Sequence, residues 1–385
     1  MWMTKIQASV RSMLLLFLTL CGTVSLCQQP VKEGLKLEDI SLHDPWILAD
    51  QPSRTYYLYT SSGRSFSSDH HSGVVTYKSK DLKTWSGPYL VFEVSTGSWA
   101  DPEAGVWAPE VHAYKGRYYL FATLNNYRKP LPSTGIKQQD KSKGTHIQVT
   151  YNGVGEHLRG TQVFVSDSPA GPFMKILDRP IPPFDYMTLD GTLYVEDGIP
   201  YMVYAHEWTQ LVDGSIEAIQ MKPDLSESAA KPFYLFKGSD APWLADRHVT
   251  ENTPQLYVTD GPELYRTKSG KLLMLWSSYR EGLYVETLAH SLSGKLIGPW
   301  RQDNVLLGDD SGHGMLFRAF DGRLMLILHH PFNPRFSRGR LYEIEDTGKS
   351  IRVKNNLENV PAKILKNLGS NGDIDDKKSG SNEDQ

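Results

Sequence analysis

Five polar residues able to move a proton or hold a ligand recur in one setting: Asp44, Glu110, Asp190, Glu263 and His313 each precede a short apolar, aromatic-rich run. The runs are Tyr56-Tyr57-Leu58-Tyr59-Thr60-Ser61, Tyr118-Tyr119-Leu120-Phe121-Ala122-Thr123, Tyr201-Met202-Val203-Tyr204-Ala205-His206, Leu272-Leu273-Met274-Leu275-Trp276-Ser277 and Leu324-Met325-Leu326-Ile327-Leu328-His329. Every run ends in a small polar residue or a histidine. Carboxylates brought into one funnel are costly to keep charged unless something uses them. Hydrolysis of a glycosidic bond does use them, because one acid protonates the leaving oxygen while a carboxylate activates water. The five units therefore read as one active centre shared by a repeat protein.

The elements that must position these residues are short strands. From Leu42 onward the chain alternates runs rich in Tyr, Val, Ile, Leu and Phe with turn pairs such as Lys115-Gly116, Asp197-Gly198, Ser269-Gly270 and Asp321-Gly322. No helical period persists for three turns. The spacing of the five units is unequal, which suits four-stranded propeller blades with variable loops and predicts an all-β, five-bladed β-propeller. In such a fold the innermost strands line a central channel, so equivalent residues of different blades converge. A second repeat supports it: Lys78 to Trp85, Val165 to Phe173 and His290 to Trp300 read as turns between third and fourth strands, each ending in an aromatic that fills the gap between blades. Arg340-Leu341-Tyr342-Glu343-Ile344 is expected to supply the strand that closes the ring, since an open blade leaves an unpaired edge. Residues 125 to 160 are polar and too long for a turn, and read as a substrate-facing rim or a mobile loop.

The ends of the chain differ in kind from its middle. Lys5 and Arg11, the apolar run Met13 to Leu20, and Gly22, Thr23 and Ser25 form a signal-peptide pattern, taken as residues 1–27. The apolar run is too short to span a bilayer, so export to a periplasm or the medium is expected, with Cys21 and Cys27 as candidate lipid-attachment points. These are the only two cysteines, so no internal disulfide is expected. Residues 28–40 read as an exposed leader, 41–350 as the catalytic propeller, and 351–385 as an extension whose Ser, Gly, Asn, Asp and Lys content predicts disorder from about Asn367. With 41 basic and 44 acidic residues the net charge of −3 offers no basic stripe for nucleic acid. The 20 Tyr, 9 Trp and 13 Phe suit strands and sugar stacking alike.

The motifs His43-Asp44-Pro45-Trp46-Ile47, Trp107-Ala108-Pro109-Glu110-Val111, Leu189-Asp190-Gly191, Gly261-Pro262-Glu263 and Gly312-His313-Gly314, in that order, resemble glycoside hydrolase family 43. The resemblance implies an inverting glycosidase in which Asp44 is the general base, Glu263 the general acid and Asp190 the residue that tunes and orients the acid. It also places His43, Glu110 and His313 near the substrate. No cofactor is needed for the chemistry. A calcium ion in the channel is a family habit, and His313 would contact it through water because calcium prefers oxygen ligands. Trp46 and Trp107 adjoin the motifs and are candidate sugar platforms, whereas Trp85 and Trp300 read as blade packing.

The family divides among α-L-arabinofuranosidases, β-xylosidases, endo-arabinanases and galactan-cleaving enzymes. The substrate expected is an arabinose- or xylose-containing glycan. The leading expectation is release of terminal α-L-arabinofuranose from plant cell-wall chains by a monomer, because no β-sandwich follows the propeller and segment 125–160 is long enough to block the channel mouth. Competing readings are a glycan-binding propeller without an acid–base pair, and a phosphorolytic one using Arg335, Arg338 and Arg340. Taken alone, Asp190-Gly191 and Asp260-Gly261 read as simple turns, Glu110 as a structural acceptor, and His313 as a buried, satisfied histidine.

Overall fold

The computed structural model describes residues 30–67, 69–131, 156–211, 213–244 and 257–356. The expected signal peptide, its cysteines, the centre of segment 125–160 and the tail beyond 356 lie outside these residues. Five antiparallel sheets follow one another along the chain. Blade I holds β2 (Trp46–Asp50), β3 (Thr55–Ser62), β4 (Gly73–Ser79) and β5 (Trp85–Glu93), with β1 (Lys32–Leu35) paired outside β5. Blade II holds β6 (Val106–Tyr114), β7 (Arg117–Pro130), β8 (His157–Ser166) and β9 (Met174–Lys175). Blade III holds β10 (Thr188–Glu196), β11 (Ile199–His206), β12 (Ser215–Gln220) and β13 (Phe233–Lys237). Blade IV holds β14 (Asp260–Arg266), β15 (Leu272–Arg280), β16 (Leu283–Ser291) and β17 (Trp300–Leu307). Blade V holds β18 (Gly312–Arg318), β19 (Leu324–His330), β20 (Arg338–Asp346) and β21 (Ile351–Asn356).

The chain is thus an all-β, five-bladed propeller. Its first strands β2, β6, β10, β14 and β18 touch one another in a ring. The five apolar runs are the second strands, buried on both faces between neighbouring blades: Leu58, Leu120, Val203, Leu275 and Leu326 are fully enclosed. That position explains why they read as continuous apolar runs rather than as an alternation. The aromatics closing the third-to-fourth turns behave as expected, with Trp85 and Phe173 buried and Trp300 packed on Phe236.

Four expectations are corrected. Residues 340–344 do not donate a strand across the seam. They are the centre of β20, the third strand of blade V, and among the described residues no strand pairing crosses from blade V to blade I. One core runs across the seam, joining Met315, Phe317, Met325, Ile327 and Leu341 of blade V to Ile47, Leu58 and Val74 of blade I. The supposed leader is not free: Lys32–Leu35 pairs with β5, and Leu37, Ile40 and Leu42 enter the same core. This covers the outer edge of blade I, which would otherwise present unpaired backbone groups. The propeller also passes residue 350, because β21 begins at Ile351, whose side chain is buried on the blade V core. Residues 125–130 and 157–160, taken as loop, are strand in β7 and β8.

Candidate active site

One residue with left-handed backbone lies on each inner strand or, in blade I, just before it: Asp44 (φ 49°), Ala108 (41°), Asp190 (54°), Gly261 (51°) and His313 (53°). In blades II to V this residue lies where the pairing register shifts, between Trp107 and Glu110, Leu189 and Thr192, Asp260 and Glu263, and Gly312 and Met315. A bulge of this kind re-aims side chains toward a site, and Asp and His tolerate the left-handed region better than most residues. The polar ends of the second strands hold three of these bulges from the preceding blade. The amide of Asp190 donates to Thr123 Oγ1 (2.9 Å), that of His313 to Ser277 Oγ (2.7 Å), and that of Asp44 to His329 Nδ1 (3.2 Å).

The bulges gather one layer of charge at the end of the channel where β3 delivers Thr60 to His43. Asp44 Oδ1 lies 2.9 Å from His43 Nδ1 and 3.2 Å from His313 Nδ1, which is 3.8 Å from Asp190 Oδ2. Asp190 Oδ2 also accepts from the amide of Gly261 (3.1 Å), and Asp260 Oδ2 accepts from the Tyr284 hydroxyl (3.1 Å). Burial alone would raise Asp44, but the charges of His313 and His43 hold its carboxyl well below the ordinary range. Burial raises Asp190 well above that range, helped by Asp260 and Asp44 and opposed by His313. Asp260 is pushed up to about 6 by burial and by Asp44. His313 goes the other way: burial would lower it, yet Asp44, Asp190 and Asp260 raise it to about 9.

A second layer lies on the same axis, reached through a narrow cavity lined by Asp44, Trp46, Glu110, Glu263, His313 and Met315. Glu263 accepts from the amide of Leu316 (2.8 Å), and Glu286 accepts from Ser277 Oγ (2.9 Å) and the amide of Gly314 (2.7 Å). Burial raises Glu263 well above the ordinary range, reinforced by Glu110 and Glu286, and raises Glu286 to about 8. Glu110 pairs with His112 (2.9 Å).

The structure therefore brings Asp44, Asp190, His43 and His313 together, as expected from sequence, but sets Asp260 beside them and Glu263 in the other layer. Asp260 had shown only a turn signal. The clue was the repeat of Asp-Gly at Asp190-Gly191 and Asp260-Gly261. Trp46 is no platform: it is buried, with its indole N–H donated to Val111 O (2.9 Å). Trp107 is half-buried, and the guanidinium of fully buried Arg159 lies 4.4 Å from its ring centre. Sequence reasoning also missed Tyr284, Glu286 and His329. His329 was in view only as the end of an apolar run. The arginines of the phosphorolytic reading lie elsewhere, Arg340 pairing with Asp309 (2.8 Å) and Arg338 donating to Glu38 O (2.9 Å).

The second layer offers calcium the hard oxygens of Glu110, Glu263 and Glu286, but their ligand atoms lie too far apart to share one ion and Glu110 is paired with His112, so the arrangement does not fit the ion. His313 fits less well as a direct ligand, because its Nδ1 is engaged by Asp44 and Asp190. Among the described residues, the groups with ligand atoms close enough to share an ion are His43, Asp44 and His329, and Asp69, His71 and Glu93.

A five-bladed propeller whose channel gathers carboxyls tuned in opposite directions has the parts that a glycoside hydrolase needs. The chain belongs to glycosyl hydrolases family 43, whose profile it matches over residues 37–353. It is similar to an endo-arabinase of Bacteroides thetaiotaomicron VPI-5482, with 34% identity and a TM-score of 0.67 over 82% of this chain and 98% of that one. An endo-1,4-beta-xylanase of the same organism shares the fold at 20% identity (TM-score 0.59, 84% and 97% covered). An α-L-arabinofuranosidase of Lactobacillus brevis does so at 16% (TM-score 0.57, 82% and 96% covered). Comparison with curated proteins gave no match.

Proposed function

We propose that the chain is an inverting hydrolase of α-L-arabinofuranosyl linkages in arabinan, cutting within the polymer. The observation that carries the chemistry is the opposite tuning of Asp44 and Asp260 within one charged layer. Asp44, ionised between two histidines, takes a proton from the water that attacks the anomeric carbon. Asp260 gives its proton to the departing oxygen, and the two exchange protons with solvent before the next turnover. Inversion needs room for that water, about 6.5 to 9.5 Å between the carboxyl groups. Asp190, raised well above the ordinary range by burial and by Asp260 and Asp44, stands beside the acid and anchors its turn by accepting from the Gly261 amide (3.1 Å). In this reading Asp260 takes the acid role expected from sequence for Glu263, since Asp260 is the carboxyl tuned against Asp44, whereas Glu263 accepts from the Leu316 amide and is raised by burial with Glu110 and Glu286.

The substrate class is supported by the 34% identity to an enzyme described as an endo-arabinase. Release of terminal arabinofuranose, the leading expectation from sequence, rested on the lack of a following β-sandwich and on segment 125–160 blocking the mouth, of which residues 132–155 lie outside the described structure. Early-time proton NMR and product sizing on linear arabinan test both points. A ladder of short oligosaccharides with an initially β-configured reducing end is expected. Initial α-configuration overturns the mechanism, monomer alone replaces internal by terminal cleavage, and inert arabinan beside cleaved xylan overturns the sugar. We also infer export through residues 1–27, which a mature N-terminus still at Met1 would refute.

A further inference from the structure

Asp44 and Asp260 sit on different blades, yet a pile of aromatic rings runs between them. His43, which pairs with Asp44, stacks on His329 with ring centres 3.9 Å apart and planes 21° from parallel. His329 stacks in turn on Tyr284, 5.3 Å away and 8° from parallel. Tyr284 donates its hydroxyl to Asp260. The pile is braced on its side by Phe332, whose carbonyl accepts from His43 Nε2 (2.8 Å) and whose ring lies 4.7 Å from that of Tyr284. Asp310 ties the brace down, accepting from the amides of both Tyr284 (3.1 Å) and Phe332 (3.0 Å).

His329 is the unusual member. At the equivalent places, blades II and IV use the hydroxyls of Thr123 and Ser277 to hold the next bulge. Blade V uses a fully buried imidazole, whose Nδ1 takes the Asp44 amide while Nε2 is enclosed without a hydrogen-bond partner. A hydroxyl would satisfy the amide without burying an orphan nitrogen, which is costly. The ring sets Nδ1 3.2 Å from Asp44 Oδ1 as a hydroxyl could, and what it supplies beyond that is thickness between His43 and Tyr284.

We propose that the His43–His329–Tyr284 pile is the spacer that sets the separation of base and acid, with His329 and Tyr284 acting as positioning residues. This rests on the roles assigned above to Asp44 and Asp260. The spacer predicts that loss of either ring function moves one carboxyl relative to the other, which costs turnover rather than binding.

The test measures kcat, KM and the pH dependence of kcat/KM on linear arabinan for His329→Asn, Tyr284→Phe and the double variant. Asn keeps an acceptor for the Asp44 amide and removes the ring; Phe keeps the ring and removes the hydroxyl. Each single variant is expected to lower kcat about tenfold or more with KM nearly unchanged, and the double variant to lose less than the product of the two. Tyr284→Phe is also expected to move the alkaline limb up by about half a pH unit, because its hydroxyl favours ionised Asp260. Wild-type kcat in both singles, losses confined to KM, or fully additive losses with an unmoved limb overturn the spacer. Should His329→Asn fail to fold, Tyr284→Phe alone decides through kcat and the limb. Asp44→Asn and Asp260→Asn are run alongside. If either keeps wild-type turnover, the acid–base reading fails, whereas inactive Asp44→Asn and Asp260→Asn beside normal His329→Asn and Tyr284→Phe removes the spacer alone.

Discussion

The two carboxyl layers, one of aspartates and one of glutamates, lie along one channel, yet they are tuned differently. Asp44, Asp190 and Asp260 share their layer with His43 and His313, so one carboxyl is held ionised while the others are pushed up. Glu263 and Glu286 meet mainly backbone amides, a serine hydroxyl and one another, and both are pushed up. Burial by itself makes acids neutral and alike. Differentiation into an acid and a base needs cations placed unequally, and the bulges place them.

The sharpest way to break the comparison is to neutralise each layer in turn. Asp44→Asn and Asp260→Asn are each expected to lower kcat about a thousandfold on arabinan, within the range for loss of a general acid or base. Glu263→Gln, by contrast, is expected to keep kcat within about tenfold of wild type, because an amide resembles the neutral carboxyl already present. A Glu263→Gln enzyme as dead as Asp260→Asn would return the acid role to Glu263. Asp190→Asn is intermediate, with kcat down about tenfold to a hundredfold. Its alkaline limb in kcat/KM should stay near that of the wild type, since Asn replaces a carboxyl that burial already pushes up, and the loss comes from the bond Asp190 accepts from the Gly261 amide. In the wild type that limb should fall near pH 6.

The smallest effect is on stability. His313 and Glu286 both have folded-state values raised, to about 9 and about 8. For raised groups the stabilisation is complete below the unfolded value and is lost as pH rises through the folded one. Thermal midpoints should therefore decline from about pH 4.5 to 8 for Glu286, and from about pH 6.5 to 9 for His313. Glu286→Gln should flatten the first part of that decline. An unchanged slope would mean that Glu286 is ionised in the folded protein.

The blades were legible because their second strands are buried on both faces, which leaves an uninterrupted apolar run in the sequence. The polar residue ending each run was legible too, and Thr123, Ser277 and His329 turn out to hold the bulges. What could not be read was the phase of the bulge. Asp190-Gly191 and Asp260-Gly261 are the same dipeptide, but the left-handed residue is Asp190 in one and Gly261 in the other. A one-residue shift re-aims a side chain, so Asp190 turns to His313 while Asp260 meets Tyr284. Glu263 then falls two residues past its bulge, level with Trp46 and Glu110 past theirs. No spacing rule in the sequence carries that offset, because it is set by which residue yields to the left-handed turn.

The seam between blades V and I has one more consequence. Four of the five blade junctions are bridged by the chain itself, whereas this one is held by packed side chains and by hydrogen bonds such as those from Asp44 to His329 and from the Leu42 amide to Ser337 O. The base is thus seated on the junction that can part without breaking a covalent connection. On warming, the enzyme should fall silent while its strands are still intact, and on cooling it should be the last property to return.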